Sequence, residues 1–395
     1  MPPGEHAKIP APGTGPLPGA RLLVPDLARG TMLALIALAN VHHWFRSDPD
    51  TPGPAEEVVT GLLSLLVDAR AYPLFALLLG YGLATLARRS IDEGLAAGLA
   101  PEEAERRATT LLRRRGLWLV VFGAAHALFF AQDILGVYGI ITISVAGVVT
   151  ARRHRAALIL AGSVGALATL FLLSVGAESA LARNHGSAAQ VLFEQAPLGP
   201  ILNLTTWVVV APATVPISMA LPAALLGVLI AGRGPLERPH RHRRALALVV
   251  VVGLVVPTIV MPVLWVGASG DAILEGVLVA WHQGPAGLLS GAAYLALIAL
   301  VASHRGAGKG PLGRTLAATG RRSLSAYLAQ TVLMALLAGV LRLYGIDSLT
   351  SVWQALIAVT VWAVSVLGCF LAEHHGVPGP AERLLRRLVH MNTRV

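Results

Sequence analysis

The sequence predicts an all-α protein that crosses a membrane many times, and three observations support this fold class. Hydrophobic residues make up 55% of the 395 residues, charged residues make up only 13%, and the mean hydropathy is +0.68. Several uncharged runs approach the length that a helix needs to span a bilayer. The positive charges lie almost entirely between these runs. A soluble domain does not need so much apolar surface, so we expect a polytopic helical membrane protein.

About ten apolar segments indicate about ten transmembrane helices. They cover roughly residues 27–45, 58–87, 117–131, 134–150, 156–175, 205–231, 245–266, 272–303, 323–344 and 352–372. Residues 1–20 are rich in proline and glycine, which predicts a disordered cytoplasmic tail. Residues 21–376 form the predicted membrane domain, and residues 377–395 form an amphipathic cytoplasmic tail that we expect to anchor at the membrane surface.

The distribution of positive charge predicts the orientation of the chain. With ten crossings, 27 of the 31 Lys and Arg residues fall on one side of the membrane. The positive-inside rule places that side, with both termini, in the cytoplasm, and we expect a plasma-membrane location. The net charge of +10 then reflects topology and attraction to anionic lipids, so nucleic acid is not a predicted partner. The oligomeric state stays open.

Cysteine and histidine usage limits the possible chemistry. Cys369 is the single cysteine, so the chain has no disulfide framework and no cysteine-based metal site. The histidines are scattered without a second ligand at helical spacing, and we therefore predict no metal site. No phosphate-binding loop or soluble-enzyme motif is present.

The stretch from Arg113 to Ile140 contains the ionisable residues with the strongest functional indication. Three arginines, Arg113, Arg114 and Arg115, mark one end of an apolar span that contains His126. Asp133 follows seven residues later, so at helical pitch the two side chains share one face. Such a pair in a membrane helix is a functional-site candidate, but it is equally compatible with a hydrogen bond between helices and a water-exposed carboxylate.

Several segments are predicted to be broken or bent. The second is interrupted by Asp68 and Arg70 and then by Pro73, which predicts a broken or reentrant helix lining a cavity. The sixth carries three prolines, and the eighth has a polar interruption at residues 281–285. Residues 88–115 are charged and helix-forming, and we expect them to form a helix lying on the inner membrane surface.

Two groups of polar residues leave alternatives open. In the ninth segment, Tyr327 is followed by Gln330 and Thr331 at helical spacing, giving one polar stripe. Such a stripe either holds helices together or lines a substrate path. At the end of the first segment, His42 and His43 lie next to each other, and at most one of them is expected to face a central cavity.

Taken together, motifs along the whole chain resemble the YeiB-like membrane family (domain of unknown function 418). The motif residues are Arg29, Gly30, Asn40, Tyr72 to Phe75, Gly80 to Gly82, Arg114, Arg115, Gly123, His126, Asp133 to Leu135, Tyr138, Gly139, Gly320, Arg321, Ser325, Tyr327, Gln330, Gly379, Pro380, Glu382 and Arg386. This family is similar to the transmembrane acyltransferase superfamily, which includes the acyltransferase-3 proteins and heparan-alpha-glucosaminide N-acetyltransferase. The resemblance implies transfer of an acyl group from a cytoplasmic donor to a lipid or glycan acceptor.

The resemblance also implies roles for particular residues. Acyltransferase-3 proteins have a histidine where this chain has Asn40, so His42, His43 and His126 compete as the catalytic base. Asp68 or Asp133 is expected to orient that histidine.

The remaining predicted roles concern the donor and the substrate. An acyl-CoA-like donor is expected to bind the cytoplasmic arginines, and no cofactor is expected to be bound permanently. The donor-binding candidates are Arg113, Arg114, Arg115, Arg321 and Arg322, and the substrate-binding candidates are Asn40, Arg70, Tyr138, Tyr327 and Gln330. A second hypothesis is a transporter or permeability protein for a small solute or lipid, because broken helices are also typical of carriers.

Overall fold

The computed structural model describes residues 23–47, 53–181, 199–268, 271–304 and 310–391, and the predicted N-terminal tail at residues 1–20 lies outside them. Within these ranges almost all residues are helical. The helices are α1 (Leu23–Asn40), α2 (Pro54–Leu66), α3 (Ala71–Ala96), α4 (Pro101–Ala127), α5 (Leu135–Thr150), α6 (His154–Leu181), α7 (Pro200–Ile217), α8 (Ala220–Ala231), α9 (Arg243–Ala268), α10 (Ala272–Trp281), α11 (Gly287–Ala302), α12 (Pro311–Arg321), α13 (Ser323–Leu343), α14 (Ser351–His374) and α15 (Pro380–His390).

The membrane class is confirmed by the length and composition of these helices. Among the described residues, eight helical stretches are long and apolar enough to cross a membrane, and α5 and α8 are shorter apolar helices. The apolar window of α1 is 61% buried within the protein, whereas that of α9 is 17% buried. The helix α1 is therefore central, and α9 presents most of its apolar surface to the surroundings, as a lipid-facing helix does.

Glycines allow two central helices, α3 and α8, to pack very closely. A side chain at Gly80 would overlap the carbonyl oxygen of Ala224, and one at Gly227 would overlap the carbonyl oxygen of Leu77. Small residues at such crossings are how membrane helices gain packing energy, because lipid provides no hydrophobic drive for helices to associate.

The predicted interruptions of the second and eighth segments are confirmed, and the two breaks pack against each other. Between α2 and α3, Ala69 has a positive φ of 59°, and the helix between α10 and α11 widens into a single π-helical turn at His282–Ala286. Tyr72 donates a hydrogen bond to the carbonyl of Gln283 at 2.9 Å. The proline-rich sixth segment is also interrupted, since α7 ends at Ile217 and α8 begins at Ala220.

The prediction of a surface helix over residues 88–115 is wrong. Instead, α3 continues to Ala96 and α4 begins at Pro101, so the charged residues form the end of α3 and the start of α4, joined as a helical hairpin. Ile91, Ala104 and Ala108 form a small core between the two arms. Proline at the first position of α4 suits a helix start, where its missing N–H costs no hydrogen bond. The charge pattern alone did not show that α3 extends into this region and that α4 begins within it.

The C-terminal helix α15 is amphipathic as predicted, and its buried face packs against protein. Leu385 and Val389 contact Leu119 of α4. The Glu382 carboxylate accepts hydrogen bonds from the backbone N–H of Leu324 at 2.7 Å and from the hydroxyl of Ser325. It thereby caps the N-terminus of α13, where a negative charge also suits the helix dipole. The buried apolar face of α15 is therefore a bundle contact, while Leu384 stays exposed, and anchoring at the membrane surface stays a prediction.

Two ends of the bundle can now be distinguished. The arginine-rich end carries the turn between α3 and α4 together with α12 and α15. The opposite end carries the turn between α4 and α5 and a short parallel bridge in which residues Arg46–Ser47 pair with Ser348–Leu349. Helices α4 and α13 both run from the arginine-rich end toward the opposite end.

Replacing Arg322 by alanine should destabilise the fold. The buried guanidinium donates to the carbonyl of Val377 at 2.6 Å and of Ala318 at 3.2 Å and pairs with Glu373. Its loss leaves the two carbonyl oxygens without this donor, whereas the partly exposed Glu373 carboxylate keeps Arg321, so we expect a loss of about 1–3 kcal/mol, measured by thermal unfolding in detergent. The exposed Arg314→Ala variant is the control and should change stability by less than about 0.5 kcal/mol. Equal effects in the two variants would contradict this role.

Candidate active site

His126 and Asp133 form a buried pair at the turn between α4 and α5. The Nδ1 atom of His126 lies 2.7 Å from Oδ1 of Asp133, and the two side chains are 3% and 0% exposed. The helix α4 ends at Ala127 and the chain reverses before α5 starts at Leu135. The contact is therefore made across a turn and not along one helical face, as the seven-residue spacing had suggested.

Asp133 is fully satisfied by three donors. Besides the imidazole, its Oδ2 atom accepts the backbone N–H of Gly136 at 2.8 Å and the indole N–H of Trp207 at 3.3 Å. Gly123 makes room for it, because a Cβ atom there would lie 2.6 Å from Oδ2. A buried carboxylate with three donors is held in one orientation. The water-exposed position that the sequence left open for Asp133 is wrong.

Thr331 completes a hydrogen-bonded chain. Its Oγ1 lies 2.8 Å from Nε2 of His126, on the side of the ring opposite Asp133. With a carboxylate at Nδ1, that nitrogen carries the proton, so Nε2 is the acceptor and the threonine hydroxyl donates to it. We assign this tautomer from the hydrogen-bond partners. Thr331 was not among the catalytic or substrate-binding residues predicted from the sequence, although it belongs to the polar stripe that contains Tyr327.

Two tyrosines lie beside this chain of hydrogen bonds. The ring of Tyr327, one helical turn before Thr331, is centred 4.9 Å from the His126 ring. Its buried hydroxyl makes no hydrogen bond of ordinary geometry with the described residues. Tyr138 instead donates to the carbonyl of Tyr72 at 2.9 Å and stacks on Phe75. Tyr138 is thereby fixed, whereas Tyr327 retains an unused donor.

A cavity of about 400 Å³ reaches from the arginine-rich end to these tyrosines. Tyr138, Tyr327 and Ile134 line its inner end. His126 and Asp133 are not part of the lining, and the Tyr327 ring lies between the cavity and His126. The charged residues of the lining are Asp26, Arg29, Arg89, Arg115, Arg321, Glu382 and Arg386. Five guanidinium groups thus face two carboxylates. Along α4, Arg115 and His126 are separated by about 16 Å, given a rise of 1.5 Å for each residue.

The predicted donor-binding arginines divide into two groups. Arg115 and Arg321 line the cavity, and Arg321 also pairs with Glu373. Arg113 is exposed, Arg114 is half-buried, and neither belongs to the cavity lining. Arg322 does not line the cavity, because its guanidinium group is used in hydrogen bonds that stabilise the fold. Arg29, Arg89 and Arg386 line the cavity but were not among the predicted donor-binding residues.

The remaining candidates near α1 and α13 lie around the site but not in it. Gln330 donates to Ser365 at 3.2 Å and to the carbonyl of Leu33 at 3.4 Å, so it holds α13 to two neighbouring helices. Asn40 ends α1 and does not cap the following turn with its side chain. His43 contacts Phe130, whose ring also contacts His126, and His42 is exposed. Neither histidine has a described carboxylate partner.

Asp68 and Arg70 belong to a separate cluster at the paired helix breaks. The Arg70 side chain is 1% exposed, and its guanidinium bonds the carbonyls of Ser64 and Asp68. It also lies 3.2 Å from the ring nitrogens of His282. Asp68 therefore does not join Asp133 at His126. Within the described ranges, no group of three or more histidine, cysteine or acidic side chains is placed to hold a metal ion.

The fold and this site together define a multi-pass helical membrane protein with a buried His-Asp pair next to an arginine-lined cavity. The model of a family described as "Protein of unknown function (DUF418)" matches residues 230–392. This match confirms the YeiB-like resemblance for the part of the chain that contains Thr331, Tyr327 and the C-terminal arginines. No curated protein and no solved structure matches the chain.

Replacing Asp133 by asparagine should destabilise the turn between α4 and α5. Asparagine has one acceptor oxygen for three donors, so at least one buried donor loses its partner, at a cost of about 1–3 kcal/mol. Thermal unfolding in detergent measures the change, and the exposed Asp92→Asn variant should unfold within about 0.5 kcal/mol of the parent protein. An unchanged unfolding temperature for Asp133→Asn would show that the carboxylate does not hold this turn.

Proposed function

We propose that this protein is a membrane-embedded acyltransferase that moves an acyl group from a cytoplasmic, phosphate-bearing donor to a lipid or glycan acceptor of the cell envelope. The observation that carries the proposal is the position of the buried His126–Asp133 pair directly behind Tyr327, which lines the inner end of a cavity that also carries five arginines. A base at one end and cations at the other suit a ligand that is reactive at one end and anionic at the other.

His126 is the general base in this proposal. Asp133 holds the proton on Nδ1 and leaves Nε2 able to accept a proton. When Nε2 becomes protonated, the adjacent carboxylate stabilises the imidazolium ion. His42 and His43 have no described carboxylate partner of this kind, so the geometry favours His126 among the three candidate histidines.

The arginines favour a donor that carries phosphate groups. Guanidinium groups bind phosphate through paired, charge-assisted hydrogen bonds. The separation of about 16 Å along α4 between Arg115 and His126 requires an extended arm between the phosphate and the reactive carbon. Acyl-CoA has such an arm. The mostly apolar wall between the two ends suits the uncharged arm and the acyl chain.

Tyr327 supplies a hydrogen bond to the acyl carbonyl oxygen in this proposal. Its hydroxyl is buried without a hydrogen-bond partner of ordinary geometry, and it lies on the cavity wall beside the imidazole. A hydrogen-bond donor in a site shielded from water stabilises the negative charge that develops on the carbonyl oxygen during acyl transfer.

The activity can be measured with purified protein in lipid nanodiscs, labelled acyl-CoA and cell-envelope fractions. We expect CoA release coupled to labelling of an envelope component. His126→Gln should lower the rate by about 10²–10⁴-fold, as for loss of a general base. Arg115→Gln should raise the KM for acyl-CoA. The exposed His374→Gln and Arg107→Gln variants should match the parent protein.

One result of this experiment would contradict the proposal and another would favour a carrier. If no acyl-CoA released CoA with any envelope fraction, the acyltransferase proposal would fail. The paired helix breaks around Arg70 are the observation that favours a carrier, because broken helices form transport sites in membranes. Loss of solute flux in Asp68→Ala, with no covalent product in any assay, would establish the carrier.

A cytoplasmic donor requires the arginine-rich end to face the cytoplasm, and we propose that it does so in the plasma membrane. The excess of positive charge at this end supports that orientation. With Cys369 replaced by alanine, a cysteine introduced at Arg314 should resist a membrane-impermeant thiol reagent in intact cells, whereas one introduced at Ile346 should react. The reverse pattern would invert the orientation and exclude a cytoplasmic donor at this cavity.

A further inference from the structure

We infer that Thr331 is the nucleophile of this site and carries the acyl group as a covalent ester between donor and acceptor. The inference rests on the proposed acyl transfer and specifies its chemical course as two successive displacements. It starts from the linear order of a carboxylate, an imidazole and a hydroxyl in Asp133, His126 and Thr331, with separations of 2.7 Å and 2.8 Å. This is the arrangement by which a base activates a hydroxyl for attack on an acyl carbon.

The hydroxyl of Thr331 behaves differently from those of most threonines in this fold. Inside a helix, a threonine hydroxyl commonly donates to the carbonyl four residues earlier, as Thr142 does at 2.7 Å and Thr319 does at 3.0 Å. Thr331 bonds the imidazole of another helix instead. The position of the hydroxyl is therefore set by the base.

The position of Thr331 also determines which hydroxyl reacts first. Nε2 is the basic atom of His126, and the threonine hydroxyl occupies it. An incoming acceptor can reach Nε2 only after Thr331 has moved or has been acylated. Thr331 is 7% exposed, so the resulting ester would be largely shielded from water, which would otherwise hydrolyse it.

The reaction balances without an additional reagent. In the first step, Oγ1 of Thr331 attacks the thioester carbon of the donor while its proton passes to Nε2 of His126. The O–C bond forms, the C–S bond breaks, and the imidazolium returns the proton to the leaving thiolate. In the second step, an acceptor hydroxyl or amine gives its proton to Nε2 and attacks the ester. The bond from Oγ1 to the acyl carbon breaks, and the imidazolium reprotonates Oγ1.

The donor can approach Thr331 along one helix face. Tyr327 lies four residues earlier on α13, lines the cavity and contacts the His126 ring. An acyl thioester that enters from the arginine-rich end therefore meets Tyr327 before Thr331. The tyrosine ring must shift to admit the acyl carbon, because Thr331 does not itself belong to the cavity lining.

The experiment traps the ester on the full-length protein in lipid nanodiscs. Cys369 is the only cysteine, so a Cys369→Ala background removes every thiol that acyl-CoA could modify. Incubation with radiolabelled acetyl-CoA or palmitoyl-CoA, without acceptor, should give up to one acyl group per protein. The label should resist neutral hydroxylamine, as an oxygen ester does, and map to the peptide containing Thr331.

Three variants and one kinetic measurement test the assignment. Thr331→Ser should retain the adduct, and Thr331→Val should lose it while keeping nearly the same side-chain shape. Thr142→Val, which removes another buried hydroxyl, is the matched control and should label normally. Double-reciprocal plots for the parent protein should give parallel lines, the pattern of double displacement.

Each failure has a distinct meaning. Normal acyl transfer by Thr331→Val, or intersecting kinetic lines without an adduct in the parent protein, would overturn the covalent course and leave direct base catalysis by His126. The absence of CoA release and acyl transfer under all conditions would instead overturn the proposed function. If Thr331→Val failed to fold, the kinetic pattern and the mapped adduct of the parent protein would still decide the question.

Discussion

The burial of the Asp133 carboxylate is the constraint on which the candidate site depends. A carboxylate removed from water costs several kcal/mol unless its oxygen atoms are satisfied by hydrogen bonds. Here the three donors come from His126, from the start of α5 and from Trp207 of α7. One carboxyl group therefore fixes the α4–α5 turn, its contact with α7 and the tautomer of the imidazole. Fold and chemistry share the same hydrogen bonds at this point.

The cavity explains why the motif residues are spread so widely along the chain. Arg29, Arg115 and Tyr138 come from the first half, and Arg321 and Arg386 come from the region that matches the family model, yet all five line one hollow. No single helix supplies both the cations and the base. The family match alone covers the nucleophile candidate and part of the arginine set, and it misses the histidine and its carboxylate.

Prediction from the sequence succeeded where composition or backbone chemistry decides the outcome. Apolar length identified the membrane helices, and the residues around Pro73 and Pro285 marked real interruptions. It failed for residues 88–115, because charged residues extend a helix into water as readily as they lie along a surface.

For the candidate site, the seven-residue spacing correctly predicted that His126 and Asp133 lie close together. It placed them on one helical face, whereas they meet across the turn between α4 and α5. The sequence left a helix-holding role open for Gln330, but the partners of Gln330 and Arg322 could not be identified from it, because they lie 30 to 300 residues away.

The balance of charge in the cavity separates a ligand site from a purely structural network. A network that only holds helices together needs each of its groups to be paired. Arg29 of the described cavity lining pairs with Asp26, and Arg321 pairs with Glu373, yet the five arginines still outnumber Asp26, Glu382 and Glu373 by two. Tyr327 keeps a buried hydroxyl without an ordinary hydrogen bond. Repulsion among the guanidinium groups is costly where the surroundings are apolar, and an anionic ligand relieves it. The same ligand, extended along the cavity, would bring its reactive end to Tyr327 and His126.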